Sequence, residues 1–339
     1  MQPERRALLA AQHDLVHGPY PPDDLAFLWS GDNKVVLCRD MVDEEYWEDL
    51  RACLAYTAVH HLEVGHSRPP RSIGDLVVRD AERIAEQIRR LVESEDDECP
   101  INVRVWGATP EVYDAVVALQ HRMKRSLALE GPSAVDYWSV SAFDTKTHGR
   151  ELLGLALARH GDPSVKVPLG FSVKGSPSAS PIVRLALRLF DGAMVKPEAG
   201  SGGSGIVFVS DASDERVLKS VQRLLDVDGC VVEEYVATQN ATPIGFNVIV
   251  HPDGQVAALG AVRQHIVDRH RFLGFEAGRG VLDPELLSKI AQVGSTIGKV
   301  LYEVGLKGPF NVGFVHQRDS GDLYALEVNP RRSGSSGPP

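Results

Sequence analysis

The chain has 339 residues, of which 43% are hydrophobic and 24% charged, as in ordinary globular proteins. Its 36 basic and 46 acidic residues give a net charge of -10, which argues against a protein whose main partner is nucleic acid or an anionic membrane. The four cysteines form no CxxC pair, and no apolar run approaches the ~18 residues of a membrane span. We therefore expect a cytoplasmic protein of two or three domains, without a disulfide framework or a zinc site.

The first 140 residues alternate predicted strands and helices. KVVLC (34–38) and INVRVW (101–106) predict strands, whereas 43–62, 76–95 and the segment from Pro110 onward predict helices. This alternation is typical of parallel α/β structure. His60 and His61 end the first of these helices and His66 follows it; without a matching carboxylate pattern we interpret them as exposed residues at the helix end rather than as a metal cluster.

From about Ser141 onward the pattern changes to predominantly antiparallel sheet. A loop leads into a helix within 143–161, KGSPSASP (174–181) predicts a connector, and one long helix covers 284–305. Strands are predicted over 164–173, 194–197, 205–209, 229–236, 245–262, 310–317 and 323–330, with the hairpin turns HPDGQ and RDSGD. The sequence therefore predicts a domain boundary near residue 140.

A glycine-rich loop lies within MVKPEAGSGGSGIVFV (194–209), directly after Lys196. Its six residues 200–205 comprise four glycines and two serines, more than the one or two glycines of a hairpin turn. A flexible hairpin tip is one interpretation, and a backbone that closes on an anionic ligand is the other. Ser204 has no accompanying His–Asp pattern, so we interpret it as a loop hydroxyl rather than a nucleophile.

LEVNPR (326–331) places Glu327, Asn329 and Arg331 at alternate positions of a predicted strand, so their side chains share one face. The carboxylate and the amide oxygen are hard donors suited to Mg²⁺. The planar guanidinium of Arg331 suits a phosphate or a carboxylate. A solvated ladder of polar side chains is the alternative interpretation.

Together these motifs resemble those of the ATP-grasp enzymes. The resemblance covers about 141–339 and comprises, in order, Lys146 in FDTKTHGREL, Lys196 in MVKP, the glycine-rich loop, EEYV (233–236) and EVNPR (327–331). Within that superfamily, TPIGFNVIVHPDGQVAALGAVRQHI (242–266) and EVNPRRSGSSGPP look most like the peptide ligases of pheganomycin biosynthesis and their relatives. The resemblance implies a parallel α/β pre-ATP-grasp domain over 1–140. Two α+β subdomains that clasp ATP would follow over 141–339, arranged as a first part (141–192), a glycine-loop lid (193–236) and a metal and substrate part (237–339).

The resemblance also implies the roles of individual residues. Lys146 and Lys196 would hold ATP phosphates, and the loop residues Gly200, Gly202, Gly203, Ser204 and Gly205 would close over them as a mobile lid. The Glu234 carbonyl and the Val236 N–H would meet the adenine edge, with Glu233 beside them. Glu327 and Asn329 would bind Mg²⁺, and Arg331 would act in catalysis by stabilising charge on the transferred phosphoryl group. Arg263 is a further candidate, either gripping a substrate carboxylate or forming a surface ion pair.

The sequence departs from the family pattern in GPFNVGFV, where Gly313 stands at the position of a further acidic metal ligand. A one-metal site, or a ligand from Asp322 or Asp319, would account for it. The chain also ends at Pro339, where the relatives continue, so either the native chain extends further or this is a shortened member.

We therefore predict an ATP-dependent carboxylate–amine ligase that acts through an acyl phosphate on small-molecule or peptide substrates such as amino acids, peptides or a natural-product precursor. The alternatives are an ATP-binding module without ligase activity and an enzyme that uses bicarbonate as the acceptor. Many relatives dimerise, and the sequence leaves the oligomeric state open.

Overall fold

The computed structural model describes residues 23–29, 31–65, 72–92, 100–200, 202–237 and 240–336. Their contacts divide the described chain into two compact units, of which the first ends at Tyr137 and the second covers Trp138–Ser335. Among the described helices, none has the length and apolar composition needed to cross a membrane.

The first unit is built from parallel strand pairs and helices. A short 3-10 helix (Asp23–Leu28) precedes β1 (Lys34–Cys38), β2 (Val59–Glu63), β3 (Ile101–Val103) and β4 (Leu127–Leu129), which pair as β1–β2 and β3–β4. The helices are α1 (Glu44–Leu54), α2 (Ile73–Arg79), α3 (Ala81–Val92) and α4 (Pro110–Met123). Leu76, Ile84 and Leu119 form the centre of a buried apolar cluster among these helices. The parallel pairing confirms the α/β class predicted from the alternation.

The predicted helix over 43–62 is shorter in the structure. Ala55 adopts a left-handed conformation at φ 52° and ends α1, and residues 59–63 form β2 instead. His60 and His61 therefore lie on a strand, and the expected helix-end position was wrong. His60 is exposed, whereas the ring of His61 packs against those of Phe27 and Trp47, with centroids 6.1 and 5.4 Å away. His66 lies outside the described residues.

The second unit contains two sheets that are largely antiparallel. The four-stranded sheet has the order β6–β9–β7–β8, and the six-stranded sheet has the order β12–β11–β10–β13–β14–β5. The strands are β5 (Val165–Lys166), β6 (Gly170–Val173), β7 (Ala193–Pro197), β8 (Val207–Val209), β9 (Cys230–Glu234), β10 (Ala241–Val250), β11 (Val256–Val267), β12 (Arg271–Glu276), β13 (Gly308–Gln317) and β14 (Leu323–Asn329). The helices are α5 (Tyr137–Phe143), which spans the division, α6 (Lys146–His160), α7 (Ala179–Leu189), α8 (Glu215–Val227) and α9 (Pro284–Glu303).

Two of these helices, α7 and α8, were absent from the prediction. They cover one face of the four-stranded sheet, where Val183 and Val221 pack with Val195 and Val232 of the strands. The opposite face carries Lys196 and Glu233, because successive side chains of a strand alternate between faces. The apolar core formed with α7 and α8 therefore lies on one face of this sheet, and the polar side chains of Lys196 and Glu233 lie on the other.

In the six-stranded sheet, α9 fixes which face is the core. A Cβ built on Gly294 of α9 would lie 2.3 Å from the ring of Phe246, so Phe246 points toward that helix. Gly245 and Asn247 consequently point to the other face. On that face the register aligns two rows across β10, β13 and β14, one of Gly245, Gly313 and Glu327 and one of Asn247, Asn311 and Asn329.

Candidate active site

The N-terminus of α6 is tied to the end of β7 by Glu198. The Lys146 N–H donates to the Glu198 carbonyl at 2.9 Å, and the Thr147 N–H donates to its carboxylate at 3.1 Å. A carboxylate is favourable there because the first N–H groups of a helix lack intrahelical partners. Glu198 is buried, and it connects Lys146 with the strand that carries Lys196. No role for Glu198 was predicted from the sequence.

Lys146 pairs with the predicted metal ligand Glu327. Lys146 Nζ lies 2.6 Å from Glu327 Oε2, and Asn329 Nδ2 lies 3.3 Å from Glu327 Oε1. The Lys146 charge, reinforced by Lys196, holds the pKa of Glu327 at about 2, well below its ordinary value of 4.5. Glu327 is therefore an anion at any physiological pH, as a metal ligand must be.

The donor set around Glu327 fits one divalent cation that also binds substrate phosphates. Glu327 and Asn329 offer two oxygens from one strand face, and Mg²⁺ is usually held by one or two carboxylates plus phosphate oxygens. Gly313 lies directly across from Glu327 and offers none. Among the described residues, no group of three or more His, Cys, Asp or Glu side chains is arranged to hold a metal.

Neither aspartate considered as a replacement ligand lies near this site. Asp322 pairs with Lys166 at 2.8 Å, and Asp319 accepts two hydrogen bonds from Asn240 at 3.1 and 3.0 Å. Both precede β14, and the five residues from Asp322 to Glu327 correspond to about 16 Å of extended chain. The hairpin geometry therefore excludes them as substitutes for a carboxylate at Gly313.

Lys196 pairs with Glu233 in the four-stranded sheet. Lys196 Nζ lies 2.5 Å from Glu233 Oε2, while Nη1 of Arg150 lies 2.9 Å from the other oxygen, Oε1. The Glu233 side chain is 4% exposed and the Lys196 side chain 9%. Arg150 lies one helical turn after Lys146 on α6, within FDTKTHGREL, but no role was predicted for it from the sequence.

The backbone predicted to meet adenine is fixed on both sides. The Glu234 N–H donates to the Leu169 carbonyl at 2.9 Å, and the Leu169 N–H donates back to the Glu234 carboxylate at 2.7 Å. Gln317 Nε2 donates to the Val236 carbonyl at 3.0 Å. Within the described part of the chain, the Val236 N–H has no hydrogen-bond partner, as an adenine-binding donor requires.

The glycine-rich loop lies against the turn between β11 and β12. The Phe272 N–H donates to the Gly202 carbonyl at 3.3 Å, and a Cβ built on Gly203 would lie 1.9 Å from the His270 carbonyl oxygen. The φ angles of Gly202, Gly203 and Gly205 are 61°, 82° and 73°, which favour glycine. Gly200 also packs tightly, since a Cβ there would lie 3.2 Å from the Ser204 carbonyl oxygen. The loop thus requires glycine for both its turns and its close approach.

Arg331 is brought to the start of α6. Its Nε and Nη2 atoms each lie 3.3 Å from an oxygen of Asp144, two residues before Lys146. Its backbone N–H donates to the Asn329 carbonyl at 2.7 Å, so the turn after β14 sets its position. The Arg331 side chain is largely buried, at 17% exposed.

Arg263 is not brought to the other residues. Val262 pairs with Gly245, so Val262 and Gln264 lie on the Glu327 face of the sheet, whereas Arg263 lies on the opposite face. There Arg263 Nη1 lies 3.3 Å from Glu276, and its Nη2 donates to the Val281 carbonyl. This geometry agrees with the ion-pair interpretation and does not support the substrate-binding one. Gln264, the next residue of β11, lies on the face that carries Glu327.

The comparisons with known proteins identify the family. Residues 165–335 match the sequence profile of the ATP-grasp domain. This match spans half of the chain, so the chain belongs to the ATP-grasp family. The predicted fold class is thereby confirmed.

Curated relatives match a shorter stretch. Acetyl-CoA carboxylase 1 of Arabidopsis thaliana is 29% identical over 140 residues, which are 41% of this chain and 6% of that protein. Acetyl-CoA carboxylase 1 of Oryza sativa subsp. japonica is 27% identical over the same length and coverage. The chain thus spans a small fraction of the length of these relatives.

Solved structures share the fold at low identity. Biotin carboxylase from Campylobacter jejuni, solved with β,γ-ATP, has a TM-score of 0.55 at 19% identity, over 89% of this chain and 60% of that chain. Rhizobium etli pyruvate carboxylase has a TM-score of 0.56 at 16% identity, over 90% and 27%. The biotin carboxylase domain dimer of Hydrogenobacter thermophilus 2-oxoglutarate carboxylase, solved with MgADP, ADP and bicarbonate, has a TM-score of 0.51 at 18% identity, over 89% and 59%.

Proposed function

We propose that the protein is an ATP-dependent ligase that activates a carboxylate as an acyl phosphate and transfers the acyl group to an amine. The observation that supports this is the convergence of Lys146, Lys196 and Arg331, which come from three separate elements, with Glu327 and Asn329. Cations beside a strand that offers hard oxygen donors suit a nucleoside triphosphate with its divalent cation.

The charge balance supports the need for a metal. Lys146, Arg150, Lys196 and Arg331 are each paired with a carboxylate in the structure. Because these pairs leave little net positive charge, they offset only part of the ~4 negative charges of ATP. Mg²⁺ held by Glu327 and Asn329 would supply the remaining neutralisation of the phosphates.

The residues of the chain would then bind and orient the reactants. Lys146 and Lys196 would move from their carboxylate partners to phosphate oxygens, and the N–H groups of the glycine-rich loop would contact the β and γ phosphates. The Glu234 carbonyl and the Val236 N–H would bind the adenine edge. Loop closure against the β11–β12 turn would exclude water from the phosphoryl group.

The reaction itself would proceed in two transfers. A carboxylate oxygen of the acid attacks the γ-phosphorus, the bond to ADP breaks, and an acyl phosphate forms. The amine nitrogen then attacks the acyl carbon, phosphate leaves, and the amine loses one proton to give the amide. Arg331 would stabilise charge on the phosphoryl group in transit, so positioning and charge stabilisation would provide the rate rather than a protein nucleophile.

The substrate class we propose is amino acids, peptides or a natural-product precursor, by the resemblance of 242–266 and EVNPRRSGSSGPP to the pheganomycin-type peptide ligases. Both substrates would be small molecules or peptides. Self-association is open to test by analytical ultracentrifugation.

Trapping the acyl phosphate tests the proposal. The protein is incubated with ATP, Mg²⁺, hydroxylamine and a panel of amino acids and short peptides, and ADP and hydroxamate are measured. We expect hydroxamate in amounts equal to ADP for at least one acid, and none from Glu327→Gln. ADP formation that requires only bicarbonate would favour the carboxylase-type acceptor instead. Nucleotide binding without turnover under any condition would favour a binding module.

A further inference from the structure

Glu233 lies between two cations that approach its two oxygens separately. Lys196 Nζ contacts Oε2 at 2.5 Å, and Arg150 Nη1 contacts Oε1 at 2.9 Å. All three side chains are largely buried, with 4% of Glu233, 9% of Lys196 and 19% of Arg150 exposed. A single buried carboxylate therefore offsets part of the charge of two cations.

Binding of a nucleotide at the proposed site would disturb this arrangement on one side only. If Lys196 moves to an ATP phosphate, Glu233 loses one partner while it stays buried. A buried charge that loses its partner is strongly unfavourable. The pair of Lys146 and Glu327 differs in this respect, because Glu327 would gain a metal ion when Lys146 moves to a phosphate. Glu233 has no such replacement among the described residues except Arg150.

Arg150 is anchored in a way that suits this task. Its Nη2 donates to the Pro168 carbonyl while its Nη1 contacts Glu233, so two groups fix the planar guanidinium. Glu233 is also confined from the side, since a Cβ built on Gly170 would lie 3.0 Å from its Cγ. Neither group needs to move when Lys196 does.

We propose that Arg150 is a positioning residue that keeps Glu233 in place and charge-compensated, so that Lys196 is released to bind the phosphates of ATP. This inference rests on the proposed nucleotide site and adds a residue to it. Arg150 acts through Glu233 and Lys196 and does not itself touch the nucleotide.

A double-mutant cycle of Arg150→Met and Glu233→Gln tests the inference, with the dissociation constants of ATP and of adenosine measured by calorimetry in the presence of Mg²⁺. We expect Arg150→Met alone to weaken ATP binding about 10-fold or more, because Glu233 is then left unpaired when Lys196 leaves. Adenosine carries no phosphate and does not draw Lys196 away from Glu233, so its affinity should change little. In the Glu233→Gln background the effect of Arg150→Met on ATP should fall below about threefold, since no buried anion remains to compensate.

Two variants control for folding and for charge. Arg159→Met on the same helix removes an exposed arginine that pairs with Glu303, and it should leave both affinities unchanged. Arg150→Lys keeps the charge and should recover part of the ATP affinity. Melting temperatures of all variants identify any that fail to fold.

Three outcomes would overturn the inference. An equal loss of ATP affinity in both backgrounds would mean that Arg150 does not act through Glu233. An equal loss of adenosine affinity would mean that Arg150 shapes the adenine pocket or the fold. Absence of ATP binding by the wild-type protein would overturn the nucleotide site as well, whereas the first two outcomes leave that site intact.

Discussion

Lys146 on the first turn of α6 and Glu327 on β14 form an ion pair of 2.6 Å between residues 181 positions apart in the chain. The pair joins the residue proposed to bind phosphate to the residue proposed to bind metal. Each would exchange its partner when ATP and Mg²⁺ arrive together, so we expect the two ligands to bind cooperatively. We also expect the pair to stabilise the fold, with a contribution that depends on pH.

The acid dependence of the metal-free protein checks this contribution. The pKa of Glu327 is about 2 in the folded protein against an ordinary value of 4.5, and Lys146 is the main cause. A carboxylate with a lowered pKa stabilises the fold above its unfolded pKa and loses that effect as the pH falls through the folded value. The melting temperature of wild type in chelator should thus exceed that of Lys146→Met most above pH 4.5, and the difference should narrow toward pH 2. A difference independent of pH would contradict the pairing.

Lys196→Ala should weaken ATP binding by about 1.5–3 kcal/mol, the range for hydrogen bonds to charged groups. The reason is that Lys196 is nearly buried and lies directly before the glycine-rich loop, where a charge–phosphate contact is weakly screened. Calorimetry with ATP measures the loss. The matched control is Lys166→Ala, which removes an exposed lysine from its pair with Asp322 and should have no effect. Unchanged affinity in Lys196→Ala would remove this lysine from the site.

Arg331→Ala should lower turnover more than ATP affinity. Its charge is needed most while the phosphoryl group is in transit, so its loss affects the transition state more than the bound ground state. The comparison is between kcat for hydroxamate formation and the dissociation constant of ATP. Arg331→Lys keeps the charge without the planar fork, so its kcat should lie between those of wild type and Arg331→Ala. Equal losses in both quantities would assign Arg331 to ground-state binding.

Much of the fold could be predicted from local patterns. Strands such as 34–38, 193–197 and 323–329 are short apolar runs bounded by turn residues, and the long helix over 284–303 begins with Asp283 and Pro284. The helices α7 and α8 were not predicted; the Ser- and Pro-rich segment 174–181 is typical of a connector, yet its last three residues form the first turn of α7. Helix α1 ends early because Ala55 adopts a left-handed backbone conformation, which cannot be predicted from an alanine within a helical pattern.

The candidate site was only partly predictable for a different reason. Residues within motifs, such as Lys196 and Glu327, could be selected by chemistry and order along the chain. Arg150 and Glu198 depend on tertiary contacts, since each meets its partner from a different element. Whether Arg263 or Gln264 lies on the site face depends on the register of β11 against β10, which the sequence does not reveal. The roles of all these residues stay predictions.

Closure of the glycine-rich loop against the β11–β12 turn should depend on the absence of a side chain at Gly203. Its φ of 82° disfavours other residues, and a Cβ would lie 1.9 Å from the His270 carbonyl oxygen. Gly203→Ala should therefore hold the loop away from the β11–β12 turn and weaken ATP binding. Gly321→Ala is the matched control, because Gly321 has a φ of 75° with no atom within 4 Å of a built Cβ. It should cost stability alone.

Hydrogen exchange reports the same motion. We expect amides of the loop residues 202–205 to be poorly protected without nucleotide and protected with ATP, because a glycine-rich tip has little side-chain packing of its own. In Gly203→Ala the protection with ATP should be reduced. Strong and equal protection of the wild-type loop in both states would favour a static hairpin.

Gly313→Asp should create a stronger metal site beside Glu327. A Cβ on Gly313 would lie 3.2 Å from Glu327 Cγ and 3.7 Å from its Oε1, so the flexible glutamate side chain must shift by only a few tenths of an ångström. The new carboxylate would face Glu327 across the β13–β14 pair, where two anions repel each other. The metal-free variant should thus melt below wild type, and divalent cations should restore it, since a cation between two carboxylates removes the repulsion.

The measurement is Mn²⁺ binding followed by electron paramagnetic resonance, with and without a non-hydrolysable ATP analogue, beside melting temperatures in chelator and in Mn²⁺. We expect wild type to bind one Mn²⁺ per bound nucleotide, because Glu327 and Asn329 are its only side-chain donors on this face of β14 and Gly313 offers none. Gly313→Asp should bind Mn²⁺ more tightly without nucleotide. Gly313→Asn occupies the same volume without a charge, and it should show neither the metal-free destabilisation nor its recovery. If Gly313→Asn behaves like Gly313→Asp, the effect does not come from the added charge, and the predicted repulsion between Glu327 and a carboxylate at position 313 is wrong.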